Sequence, residues 1–155
     1  MIPLKTLALS LLLAFSAATA IAQQATPSLS EMRALENVTR GTYEGVPWLS
    51  GGVGEVERQA ITATAARDYN LKLEFARADG SYLSNVDVVV SDANGQAVAT
   101  VTSSGPWLLL DLPAGGYRVR AGIEGRPSFE QAVNVAGSGM QTVVFNRWEA
   151  ETDTP

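Results

Sequence analysis

From residue 69 onward the apolar positions recur with a period of two. In YNLKLEFAR, Leu71, Leu73 and Phe75 alternate with Lys72 and Glu74, which gathers the apolar side chains on one face of a strand. The alternation returns in NVDVVVSD through Val86, Val88 and Val90, and continues through QAVATVTS, WLLLDL, YRVRAGI, SFEQAVNV and QTVVFNRW. Turn signals separate these runs at 78–81 (ADGS), 92–95 (DANG), 113–116 (PAGG), 125–127 (GRP) and 137–139 (GSG). Asn-Gly tolerates positive φ and closes hairpins. Seven short strands spaced about 8–12 residues apart predict an antiparallel β-sandwich. Lys72, out of phase with its apolar neighbours, is expected to face solvent.

The pattern upstream is different. Residues 43–49 read as extended, and Gly51, Gly52 and Gly54 interrupt them. A helix is predicted over 55–67, because Val53, Val56, Ala60 and Ala63 fall on one helical stripe. Glu55 and Glu57 would lie in its first turn and Arg67 in its last, as the helix dipole favours. Alanine buries little area, so this helix is expected to lie on a larger body. SGGVGE (50–55) also resembles half a phosphate loop, with glycines ahead of a helix N-terminus. It has neither a Gly-Lys-Ser/Thr ending nor the Rossmann context, and two glutamates would repel phosphate. A tight turn or close packing is the better account of its glycines.

The ends carry no core pattern. Residues 1–22 read as a signal peptide: Lys5, an apolar run from Leu7 to Phe15, then Ala20-Ile21-Ala22 ahead of Gln23. That run falls short of the roughly 20 apolar residues a membrane-spanning helix needs. Cleavage after Ala22 would leave a mature chain without a membrane span, placed in the periplasm or secreted. Residues 23–41 read as a flexible N-terminus with a helical turn near 31–35, residues 42–67 as the extended segment, turn and helix, and 149–155 as a disordered acidic tail.

Composition excludes more than it suggests. The chain of 155 residues has 11 Lys+Arg against 16 Asp+Glu, no histidine and no cysteine. Loss of Lys5 would take the net charge from −5 to −6, which argues against nucleic acid or an anionic membrane as partner. Without His or Cys there is no Ser-His-Asp or Cys-His site and no zinc site of the usual ligands. Lys72 is the only lysine after Lys5, and its outward phase argues against a Ser-Lys dyad or a Lys-Asn isopeptide bond to Asn134 or Asn146. The acidic residues fall singly on turns and outward positions, so paired-carboxylate chemistry has no support. SDANGQ (91–96) lacks the further oxygen ligands of a calcium loop. No catalytic residue, metal or cofactor is expected.

The stretch GSYLSNVDVVVSDANGQAVATVTSSGPWLLLDLPAGGYRVRAGIEGR resembles the carboxypeptidase regulatory-like family. The resemblance is carried by Val86, Val88, Asp92, Gly95, Thr102, Gly105, Trp107, Leu112, Pro113, Gly115, Tyr117, Val119 and Gly125, within a region covering 68–148. It implies a mainly β, seven-stranded Greek-key sandwich of transthyretin-like (prealbumin-like) type, here with one short N-terminal helix packed on it. It also implies a module without catalysis of its own. An exported, non-enzymatic binding or accessory module acting through protein or cell-envelope partners is therefore expected. The alternative is a structural or assembly component of the bacterial envelope, joined through exposed sheet edges or through 43–49. Trp48, Ser50, Gly51, Gly52 and Glu55 upstream, with Trp107 in the sandwich, are the candidate partner or ligand contacts.

Overall fold

Leu71, Leu73 and Phe75 are fully buried, as their alternation requires, on a strand spanning Leu71–Arg77. A computed structural model describes residue 26 and residues 28–65 and 67–149; the signal-peptide reading of 1–22 and nearly all of the tail lie outside the described residues. The described residues form nine strands: β1 Thr39–Tyr43, β2 Val46–Gly51, β3 Leu71–Arg77, β4 Asp87–Ser91, β5 Ala97–Thr102, β6 Trp107–Leu110, β7 Gly115–Gly122, β8 Phe129–Val135 and β9 Gln141–Trp148. They make a sandwich of a five-stranded sheet, ordered β1-β2-β6-β3-β9, and a four-stranded sheet, ordered β5-β4-β7-β8.

The core between the sheets follows the period-two reading. Val86, Val88, Val90, Val119, Ala121, Val133 and Val135 from one sheet meet Leu71, Leu73, Phe75, Leu108, Leu110 and Phe145 from the other. Fully burying a side chain the size of Val, Leu or Phe stabilises by about 1.5–3 kcal/mol, so this cluster dominates the folding energy. Tyr117 sits at its edge, and its hydroxyl donates to the Pro113 carbonyl at 2.7 Å, tying the β6–β7 turn to the sandwich. The Asp92 carboxylate accepts from the Asn94 and Gln96 amides, and Gly95 adopts φ +81°; the DANG turn is closed within itself.

Several expectations need correction. The described residues hold nine strands rather than seven, because β1 and β2 form a hairpin that adds to the edge of β6. Its turn is Glu44-Gly45, both at positive φ, the geometry of a type I′ hairpin. The sandwich is not wholly antiparallel, since β3 and β9 pair in parallel. Two short α-helices occur among the described residues rather than one. The first, α1 (Leu29–Ala34), opens with a capping box between Ser28 and Glu31, so the stretch read as a flexible N-terminus contains an ordered helix and the start of β1. The second, α2 (Glu55–Ala60), is shorter than predicted and passes into a π-helical turn at Ile61–Ala65.

The predicted stripe of α2 is also rotated. Val53 and Val56 are 67% and 51% exposed, whereas Glu57, Ala60 and Ile61 are buried. Ile61 fills the space above the sheet better than a small alanine does, and the Glu57 carboxylate has a backbone partner there. Ile61 joins Leu49, Trp107 and Leu109 in a second apolar cluster on the outer face of the five-stranded sheet. The WLLL run is therefore buried on both sides, with Leu108 and Leu110 facing the sandwich and Trp107 and Leu109 facing the helical layer. The same layer explains Lys72, whose side chain is only 18% exposed: its face of β3 is partly covered.

Candidate functional site

Sheet register joins two features that lie far apart in sequence. Antiparallel pairing of β2 with β6 sets Gly51 opposite Trp107, and pairing of β3 with β6 sets Glu74 opposite Trp107 on the other side. The indole thus lies on the outer face of the sheet, next to the SGGVGE segment. After Gly51 the chain turns out of the sheet through Gly52 at φ +89°. The backbone of Gly52 packs on the indole so closely that a Cβ there would lie 3.0 Å from Trp107 Cγ. Conformation and contact both require glycine at this position.

The short helix is anchored by its own acid. The Gly52 amide donates to Glu57 Oε1, so the anion-attracting turn ahead of α2 is filled by a carboxylate of the same chain. That occupancy answers the phosphate-loop resemblance: the backbone donor is in use. Arg58 closes the other side, with Nη1 donating to the carbonyls of Gly52 (3.0 Å) and Val53 (3.3 Å) and Nη2 to Glu55 at 2.7 Å. Gln59 Nε2 donates to the second oxygen of Glu55 at 3.0 Å. These two side-chain bonds hold the Glu55 carboxyl below its ordinary titration range.

A cleft of about 460 Å³ opens between this helix and Trp107, lined by Glu55, Arg58, Gln59, Thr62 and Ala63. Helical spacing puts these five on one side of α2 and its π-helical continuation. The Arg58 guanidinium lies 5.1 Å from the Tyr82 ring centroid, and the Lys72 ammonium lies 4.0 Å from that of Trp107. Lys72 also pairs with Glu74 at 3.2 Å. Both cations are neutralised by a neighbouring carboxylate, so the four charges balance. Trp107 is 9% exposed, and its Nε1 is buried without a hydrogen-bond partner. A buried donor left unsatisfied costs about 1–3 kcal/mol, a cost that phenylalanine at this position would not carry.

The six residues singled out from sequence do not form one site. Gly52, Glu55 and Trp107 meet at this cleft, and Gly51 lies beneath it. Ser50 is fully buried on the inner side: its hydroxyl donates to the Trp107 carbonyl at 2.9 Å and accepts from the Ser104 amide at 3.0 Å. It works as a structural link between β2, β6 and the turn before β6. Trp48 is elsewhere, packed on the main core and lying across Gly41 of β1, where a Cβ would come within 2.6 Å of the indole. Within 43–49, Trp48 and Leu49 are paired with β1 on one side and β6 on the other, whereas Tyr43 lies on β1, the outermost strand of that sheet.

Sequence reading missed Arg58, Gln59, Glu57, Lys72 and Tyr82. The first two were accessible from it, because they stand three and four residues after Glu55 on one helical face. Lys72 and Tyr82 arrive through sheet register and through the bridge from Ala76 to Tyr82, which local patterning does not encode. Compared with known proteins, the chain matches no family model and no curated sequence.

Proposed function

We propose that this chain is an exported, non-enzymatic β-sandwich module that binds a partner or ligand and acts through protein or cell-envelope components. The observation that carries the reading is the Trp107 cleft. It is an open groove between α2 and the five-stranded sheet, lined by Trp107 and by an Arg58–Glu55 pair with Gln59, Thr62 and Ala63 beside it. Such composition suits recognition, with an apolar surface and a few placed polar groups. The absence of histidine and cysteine from the sequence supports a binding role over nucleophilic or acid–base catalysis. In this reading the seven strands from Leu71 onward form a transthyretin-like Greek key of the carboxypeptidase regulatory-like kind. The β1–β2 hairpin and the two helices are additions that build the cleft on its outer face.

A site-specific crosslinking experiment tests the proposal. A photoreactive residue at Gln59, in the cleft, is compared with one at Thr100, on the exposed face of the four-stranded sheet, in envelope extract of the source cells. Specific adducts at Gln59 that are missing at Thr100 support the reading. Adducts at Thr100 alone, or at neither position, overturn it. Sequencing of the secreted or periplasmic chain is expected to begin at Gln23.

A further inference from the structure

We propose that two copies of this chain pair through the free edge of β9, giving a two-fold dimer in which the five-stranded sheets join into one. The contact uses a different edge of the molecule from the Trp107 cleft. β1 and β9 bound one sheet, and β5 and β8 bound the other. An edge strand carries unpaired N–H and C=O groups that template another strand, and charged side chains are a common guard against this. β1 carries Arg40 and β8 carries Glu130. β5 is uncharged, but its pairing with β4 is bulged and it leaves no large apolar side chain exposed. β9 holds no charge from Gln141 to Asn146. Its Val144 is 44% exposed, the one large apolar residue left exposed on a strand among the described residues.

Backbone direction shows which groups this edge offers. β9 pairs with β3 alone, and the Gln141 amide donates to the Asn70 carbonyl on that side. The Val144 carbonyl points the other way, since it accepts from the Gln131 side chain of β8 at 3.1 Å. Direction alternates along a strand, so Thr142, Val144 and Asn146 turn their N–H and C=O groups outward. The side chains of these three are exposed, whereas Val143 and Phe145 pack against the core. Short, neutral side chains leave a second strand room to approach.

Self-complementarity selects a second copy as the occupant. Antiparallel pairing about Val144 sets Val144 opposite its own copy, Thr142 opposite Asn146, and Gln141 opposite Arg147. Like charges directly opposite one another destabilise a sheet, and here none meet, although the chain carries a net charge of −5. A β-branched apolar pair lies at the centre, and polar side chains flank it. Three opposed pairs of outward residues exchange about six backbone hydrogen bonds. The two-fold axis closes the assembly at two copies. Gln131 is the guard in this arrangement: its amide occupies the central acceptor and swings away before the strands join.

Sedimentation velocity of the full chain over a concentration series, with hydrogen exchange at the Thr142, Val144 and Asn146 amides, tests the pairing. Dimer should accumulate as concentration rises, and the three amides should gain protection with it. Val144→Lys sets two cations across the axis and should weaken the dimer about tenfold or more, with the circular dichroism of the parent retained. Thr100→Lys, at an exposed position on the β5 edge, should leave the dimer unchanged. Gln131→Ala frees the Val144 carbonyl and should tighten the dimer several-fold, since one hydrogen bond no longer has to be broken. If Val144→Lys fails to fold, exchange at the three amides of the parent decides the matter. A monomer at every concentration up to about 1 mM overturns the proposal. So does a dimer that a folded Val144→Lys does not weaken, or one whose β9 amides exchange as in the monomer. A Gln131→Ala dimer no tighter than the parent overturns pairing at Val144. Protection of the three amides by an unrelated extended peptide, with no self-association, gives the edge to another partner and overturns the second copy.

Discussion

Substituting Glu57 tests whether the helical layer is held by one buried carboxylate. The Gly52 amide that Glu57 accepts from is buried, and the acid itself is 9% exposed. In Glu57→Ala the amide loses its partner inside an apolar cluster, and a hydrogen bond to a charged group is worth about 1.5–3 kcal/mol net. Relief of the desolvated charge offsets part of this, so the expected loss is about 2 kcal/mol. In a domain of this size that lowers the melting temperature by roughly 5–10 °C. Glu57→Gln keeps an acceptor oxygen in place and should cost less than half as much.

A second substitution turns this into a cycle. A Cβ on Gly51 would stand 2.5 Å from Glu57 Oε1, 3.1 Å from Val38 Cγ2 and 3.4 Å from Ile61 Cδ1. The carboxylate is the first obstacle, and overpacking of this kind costs about 1–3 kcal/mol. Removing the carboxylate clears most of the space. Gly51→Ala should therefore cost distinctly less in the Glu57→Ala background than in the parent, with a coupling of about 1 kcal/mol. Urea denaturation followed by tryptophan fluorescence and far-UV circular dichroism measures all four corners. Strict additivity, or a Glu57→Ala variant within 0.5 kcal/mol of the parent, would refute the anchoring role.

Three further outcomes are expected. Gly105→Ala should be among the most damaging single changes, above 3 kcal/mol or without soluble product, because its Cβ would run into the backbone of Gly51 and no flexible side chain is present to yield; a thermal melt reads it. Tyr117→Phe should lose about 1 kcal/mol by giving up the bond to Pro113, measured as a shift of the urea midpoint at constant slope. The Glu55 carboxyl should titrate below its ordinary value of 4.5 by NMR. Since its folded value is depressed, its stabilising contribution is present above 4.5 and fades as pH falls through the lower folded value. Arg58→Gln should move the Glu55 midpoint back up.

The strands from Leu71 onward were legible because each inward residue alternates with an outward one, and a core between two sheets imposes that period of two. The turns were legible too, since Asp92, Gly95 and Pro113 act through local backbone geometry. The β1–β2 hairpin escaped notice because its turn is Glu44-Gly45 rather than Asn-Gly, with the glutamate at φ +45°, a region that glutamate rarely enters. The stripe of α2 was misplaced because local periodicity counted Val53 and Val56 as buried. Which side of a two-turn helix meets the sheet is decided by what the sheet offers, and here it offers the Gly52 amide and the space filled by Ile61.

By itself, then, the sequence determined a β-sandwich, its phase along each strand and the absence of His- and Cys-based chemistry, since these depend on residue type and near neighbours. Tertiary structure alone decided that Trp107 and SGGVGE meet, that Lys72 is drawn over an indole, and that Ser50 and Trp48 are packing groups. Those outcomes depend on the register between β2, β6 and β3. Register is a long-range quantity, set by the combined fit of both sheet faces, and no local window of residues contains it.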